Sequence, residues 1–217
     1  ARRIAESAHV VVTNHSLMFC DLAADGGLLP PIRHWVVDEA HNAEAEARRA
    51  FSIDISSDDL VSLARRVSAG SRSRSVFDRA ERNVTLSDVE GETLFYALLN
   101  KARSAGEEFS EVALPFPEKL RGLLYFEPAK KGRGYEYVDL WINQEIRNSS
   151  IFKELVEQGS AMVEKAEKLI RATQDLVAQL EEVDSAAAVQ REIAVVAIEL
   201  KELVKACEAI LFSGSDQ

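Results

Sequence analysis

The sequence predicts a mostly α fold with a small α/β portion. A partial parallel βαβ unit comes first, and a helical region follows that closes in a long antiparallel helix hairpin. Three observations predict this. Two short β-branched, continuously apolar runs near the start flank a capped helix, which is the pattern of strands buried on both faces. From residue 152 onward, apolar residues recur at helical spacing with a single turn between two long stretches. The 217 residues are 47% hydrophobic and 29% charged, enough apolar material for a sizeable core.

Residues 1–8 read as the end of a helix, with no apolar signal region and no initiator Met. The chain is therefore expected to be part of a longer one. His9-Val10-Val11-Val12-Thr13 is the first expected strand. Asn14 to Phe19 reads as a helix start, with Thr13 or Asn14 as its cap. Asp25-Gly26-Gly27 ends that helix, and Pro30-Pro31 imposes an extended entry to the second strand, residues 35–38. Residues 42–50 then read as a helix.

The second strand ends abruptly in Asp38-Glu39-Ala40-His41. Open α/β sheets place ligand-binding groups at the C-terminal ends of their strands. Two acids there suit a Mg²⁺-nucleotide site, where one carboxylate serves the metal and its neighbour the attacking water. A plainer reading is an acidic helix start favoured by the helix dipole.

Beyond residue 50, 51–55 is expected to be extended. Ser56-Ser57-Asp58-Asp59 signals a capped helix through about residue 68. Residues 69–75, rich in Ser and Arg, read as a loop, and 86–105 as a helix. Pro115 and Pro117 break the chain. Residues 123–126 and 135–141, around a Lys/Arg/Gly-rich tip, read as an aromatic hairpin. Helices over 152–182 and 186–212 complete the chain, with Asp184-Ser185 as the turn and the cap of the second.

The formal net charge is -10, and residues 151–217 hold 13 acids against 7 bases. That argues against a surface generally coated by nucleic acid, though not against a local basic groove. Two stretches could form one. Arg72 and Arg74 lie in the Ser-rich loop, flanked by Arg65, Arg66, Arg79 and Arg82. Lys130, Lys131 and Arg133 sit among Tyr125, Phe126, Tyr135 and Tyr137. Cations beside aromatics suit single strands, by phosphate attraction and base stacking. Cys20 and Cys207 lack a C-x-x-C spacing, so two reduced thiols are expected rather than a disulfide or zinc site. No stretch is long and apolar enough for a membrane span, and a cytoplasmic location is expected.

Val11-Val12-Thr13-Asn14-His15-Ser16-Leu17, followed by Trp35-Val36-Val37-Asp38-Glu39-Ala40-His41-Asn42, resembles the DinG/XPD family of ATP-dependent DNA helicases. There a V-x-N-H-x-L segment precedes the D-E-A-H box in the first motor domain. The resemblance covers roughly residues 1–48. It implies that residues 1–50 are part of a RecA-like motor domain and 51–217 a helical arch inserted into it. It also implies that Asp38 holds Mg²⁺ on the β- and γ-phosphates of ATP, that Glu39 orients and deprotonates the attacking water, and that His41 couples the nucleotide state to a second motor domain. Asn14 and His15 match a family segment but read on their own as a helix cap and a packed histidine.

The RNA helicases that share the box carry a Ser-Ala-Thr motif soon after it, and none occurs after His41 here. No G-x-x-x-x-G-K-[S/T] occurs anywhere, so this chain alone is expected not to hydrolyse ATP. Family members with an iron–sulfur cluster place its cysteines upstream, outside this chain. The implied partners are single-stranded DNA and the remaining helicase domains, with 5′-to-3′ translocation in the parent. The alternative is a non-catalytic helical binding module. An orphaned strand pair would also expose apolar edges, so dimerisation, swapping or disorder is expected near residues 1–40.

Overall fold

A computed structural model describes residues 2–24, 26–53, 56–68, 75–86, 88–125, 142–181 and 183–212. Contacts divide the chain into two units, Ala1–Asp54 and Ile55–Gln217.

The first unit contains α1 (Arg2–Glu6), α2 (His15–Ala23) and α3 (Ala43–Phe51), the last preceded by a 3-10 turn over Ala40–Asn42. Asn14 caps α2, its side-chain oxygen accepting from the Leu17 N–H at 2.8 Å. Helices α2 and α3 pack together. Among the described residues of this unit, Met18 is the one buried hydrophobic side chain.

The predicted βαβ portion is not formed. Among the described residues there is no strand and no sheet. Residues 9–13 and 31–37 are non-helical, but among the described residues no main-chain hydrogen bond engages either segment. A strand exists only as part of a ladder. Without one, Val10, Val12 and Val36 stand 77%, 93% and 99% exposed, where a strand of a covered sheet would bury them.

The second unit is helical throughout its described residues. It contains α4 (Ser57–Val67), α5 (Val76–Asn83), α6 (Val89–Ala113), α7 (Phe116–Tyr125), α8 (Gln144–Asn148), α9 (Ser150–Gln179) and α10 (Ala187–Cys207), with a π turn over Glu208–Phe212. Helix α9 is the spine, with α6 and α10 lying along it and α7 and α8 also packed on it. Its buried stripe is Phe152, Leu155, Met162, Ala166, Leu169, Thr173 and Leu176, the period of a helix facing a core. Ion pairs join Lys101 to Asp175 and Glu108 to both Lys165 and Lys168. Rising numbers on α6 thus meet falling numbers on α9, so the two helices are antiparallel. Helices α4 and α5 fill the remaining side, where Phe77 meets Gly106 of α6.

Several boundaries differ from expectation, each for a local reason. Helix α5 starts at a capping box in which Ser75 and Asp78 bond reciprocally to each other's main-chain N–H, at 2.9 and 3.2 Å. Helix α7 begins across the prolines read as a break, because a helix's first turn tolerates missing N–H donors. Residues 123–125 are helical rather than part of a hairpin. The cap of α10 is Ala186, which makes no side-chain capping bond, and not the Asp184-Ser185 pair.

Candidate functional site

The non-helical run 31–38 delivers Asp38 and Glu39 to the turn that starts α3. Glu39 has φ 49°, the single positive φ among the described non-glycine residues. A left-handed residue here turns the chain sharply from that run into the helical turn. Asp38 stabilises that turn: its Oδ1 accepts from the Glu39 N–H at 2.9 Å. The Asn42 N–H closes it on the Glu39 carbonyl, also at 2.9 Å. His41 Nδ1 lies 3.2 Å from Glu39 Oε2, and all three side chains are exposed.

The run itself is positioned from α2. Asp21 Oδ1 accepts from the N–H groups of Leu28 and Leu29, at 2.7 and 3.0 Å, and the Gly26 N–H bonds the Asp21 carbonyl at 2.7 Å. Gly26 and Gly27 take φ of 86° and 103° in the same turn, a region natural to glycine. Asp21 was not singled out from the sequence; its signal was a carboxylate five residues before a Gly-Gly pair. An open slot of about 720 Å³ is lined by residues 9–13, by Asn14, His15 and Met18, and by residues 30–38.

Asp38 offers a hard carboxylate oxygen, free of other described partners, at an open turn. That donor fits one position of an octahedral Mg²⁺ whose other ligands are waters and phosphate oxygens. A nucleotide needs more: among the described residues no group of three or more acids, histidines or cysteines converges on a metal position. The Glu39 carboxylate turns toward His41, not toward a shared centre with Asp38. Asn14 serves as a cap and His15 is half-buried at the start of α2.

The nucleic-acid candidates Arg72, Arg74, Lys130, Lys131, Arg133 and Tyr135 lie outside the described residues. Of the arginines flanking the first loop, Arg66 pairs with Glu199, and Arg79 with Glu192 at 3.1 Å. Both acids belong to α10, so these two cations clamp α4 and α5 onto it. Arg65 and Arg82 remain exposed. Between α5 and α6, Arg103 bonds Asp78 at 3.0 Å and also reaches Glu81. Burial opposes the charged form of Asp78, but the Ser75 main-chain and side-chain hydrogen bonds and the Arg103 guanidinium together hold its carboxyl below the usual range. Cys207 is buried, which together with Glu208 pushes its thiol up to about 11, whereas Cys20 is exposed.

Over 67 residues, 31% of its length, the chain is similar to an ATP-dependent helicase at 40% identity. That relative is the ATP-dependent helicase DinG of Mycobacterium tuberculosis, and the DinG of Mycobacterium bovis matches equally. The matched part spans about a tenth of those curated relatives. No protein-family profile matches the chain, and no solved structure matches it. Among the described residues, no helix is long and apolar enough to cross a membrane.

Proposed function

We propose that the chain is a segment of a DinG/XPD-like ATP-dependent DNA helicase. Its first unit would be the D-E-A-H end of a motor domain and its second unit the inserted arch. The observation that carries this reading is the 40% identity to DinG over 67 residues. The exposed Asp38-Glu39 turn at the end of a non-helical apolar run is consistent with it. In the parent, Asp38 would bind Mg²⁺, which neutralises charge on the phosphates of ATP. Glu39 would take the proton of the attacking water, and His41, beside Glu39, would couple nucleotide state to the second motor domain. The P-loop, the second motor domain and any iron–sulfur cluster would come from elsewhere in the parent. Single-stranded DNA would be the track, and the location cytoplasmic.

The test is Glu39→Gln in the full-length parent. Removing a general base costs roughly 10²–10⁴-fold in rate. DNA-stimulated ATPase activity should fall by about that factor while DNA affinity is kept. Unchanged ATPase activity would overturn the role of Glu39 and with it the motor-domain reading.

A second reading, a non-catalytic helical binding module, draws on the commitment of Arg66 and Arg79 to α10. Those cations then serve the packing of the helices rather than a nucleic-acid face.

A further inference from the structure

Helix α10 buries one face and exposes the opposite one. Val189, Ile193, Val196, Leu200 and Leu203 are buried on the inner side, and the helix packs on α9, α5 and α4. The outer side carries Ala188, Arg191, Val195, Ile198, Glu202 and Lys205, all exposed. Val195 and Ile198, at its centre, stand 46% and 56% exposed. The steps between these six residues alternate three and four, which is the a/d seam of a coiled coil. Contacts with three neighbouring helices hold α10 in place, so this face is the outside of a packed helix and not a segment lacking its ladder.

We propose that this face pairs with the same face of a second copy of the chain, the two α10 helices running antiparallel. Layers of an antiparallel pair set a positions against d positions. With the two-fold axis level with Val196 and Ala197, Val195 of one copy faces Ile198 of the other, Arg191 faces Glu202, and Ala188 faces Lys205. Each layer occurs twice. Apolar side chains meet at the centre, opposite charges close both sides of it, and the Lys205 stem lies over Ala188 with its ammonium in water. Arg191 donates from Nε to the Ala187 carbonyl at 3.0 Å, a bond that leaves its terminal nitrogens to a carboxylate. On the flank, Glu192 comes level with Lys201 of the other copy. Glu192 already holds Arg79 at 3.1 Å, so that pair adds a second cation to one carboxylate.

Other arrangements fail on the same residues. A parallel pair sets Arg191, Glu202 and Lys205 each against its own copy, like charge on like charge. Sliding the antiparallel pair by one layer sets Val195 against Lys205 and Ile198 against Glu202 in one direction, and Arg191 against Val195 in the other. The interface is isologous and closes at two copies. It is short, against roughly 20–30 residues a side in a stable complex, so the dimer is weak and reversible. The inference does not rest on the helicase reading, because it uses α10 alone and the D-E-A-H turn belongs to the other unit.

The test is sedimentation equilibrium of the 217-residue chain across roughly 5 to 500 µM, with the exposed Cys20 changed to Ser so that no disulfide can form through it. A reversible monomer–dimer equilibrium is expected. Ile198→Lys, at a position outside the core, should abolish it. Arg191→Glu should weaken it by roughly tenfold, because two layers then oppose like charges. Arg191→Glu combined with Glu202→Arg rebuilds the antiparallel layers and should restore association, whereas a parallel pair would stay repelled. Unchanged helical circular dichroism in these variants separates lost pairing from lost folding. A chain that stays monomeric over the whole range would overturn the proposal. So would a dimer that survives Ile198→Lys, or a double exchange that fails to restore what Arg191→Glu loses.

Discussion

Asp78 is a residue whose small structural role has large consequences. It closes the capping box of α5 with Ser75, and it receives Arg103 from α6. The hydrogen bonds and the guanidinium favour its charged form in the folded chain, so its folded pKa lies below the ordinary value of 3.8. A depressed carboxylate contributes stability that is present above the unfolded pKa and lost as pH falls through the folded one. Stability should therefore drop below about pH 4. In Asp78→Asn, thermal melts should show lower stability at neutral pH and a shallower loss on acidification; an identical acid slope would remove Asp78 from the account. The Ser75-x-x-Asp78 capping box was missed, because it stands at the end of an Arg/Ser-rich stretch whose composition reads as loop. The cap of α2 was legible to within one residue, Thr13 or Asn14, because an apolar helical segment follows directly, and it is Asn14 that makes the bond. Asp21 was not, because the N–H donors it accepts from lie seven and eight residues ahead and no local period connects them. At the D-E-A-H box the sequence predicted acids at the end of a parallel strand; that strand is not formed, and the acids stand in a bend that leads into the 3-10 turn. The sequence could not show that Asp38 turns back on the Glu39 N–H and that Glu39 turns toward His41.

At the scale of elements, helices were legible and strands were not, and the reason is physical. A helix satisfies its own main chain, so the periods of α9 and α10 suffice to place them. A strand needs a neighbour, and a β-branched run states only that the backbone is extended. Residues 9–13 and 31–37 are non-helical, and among the described residues no ladder joins them. Close packing between helices was also hidden, and two glycines make the point. A Cβ on Gly106 of α6 would strike the Val67 carbonyl at the end of α4, and main chain cannot step aside as a flexible side chain can. A Cβ on Gly122 of α7 would meet nothing within 4 Å. Gly106→Ala should cost about 1–3 kcal/mol by overpacking, partly offset by roughly 1 kcal/mol of helix propensity. Gly122→Ala carries the propensity gain alone and should stabilise by up to about 1 kcal/mol. Chemical denaturation of the two variants should therefore shift midpoints in opposite directions. Shifts of the same sign would mean that α4 and α6 do not approach as closely as this packing requires.

For the whole molecule, the distribution of charge decides what the second unit can bind. The chain carries a net charge of -10, and many of its described cations are already matched. Arg66, Arg79, Lys101, Arg103, Lys165 and Lys168 each pair with an acid on another helix. Such pairs are partly exposed and individually modest, but they draw these side chains toward the helix seams rather than toward a ligand. For single-stranded DNA, the contacts proposed from the sequence are Arg72, Arg74, Lys130, Lys131 and Arg133, with the exposed Arg65 and Arg82 flanking the first two. Single strands lose about 0.7 in the log–log salt slope per phosphate contact, so those five contacts would contribute a slope near −3.5. Fluorescence anisotropy with a labelled oligothymidine should give weak binding at low salt with a slope of about that size. Replacing Lys130, Lys131 and Arg133 together by Ala should flatten the slope by about 2. Arg66→Ala should instead lower the melting temperature, through loss of its pair with Glu199, and leave the slope nearly unchanged. A slope that responds to Arg66 but not to Lys130, Lys131 and Arg133 would move the DNA path onto the α4–α10 seam. No binding at low salt would favour the helical binding module over the arch, because an arch that borders a translocated strand must attract phosphate somewhere along its surface.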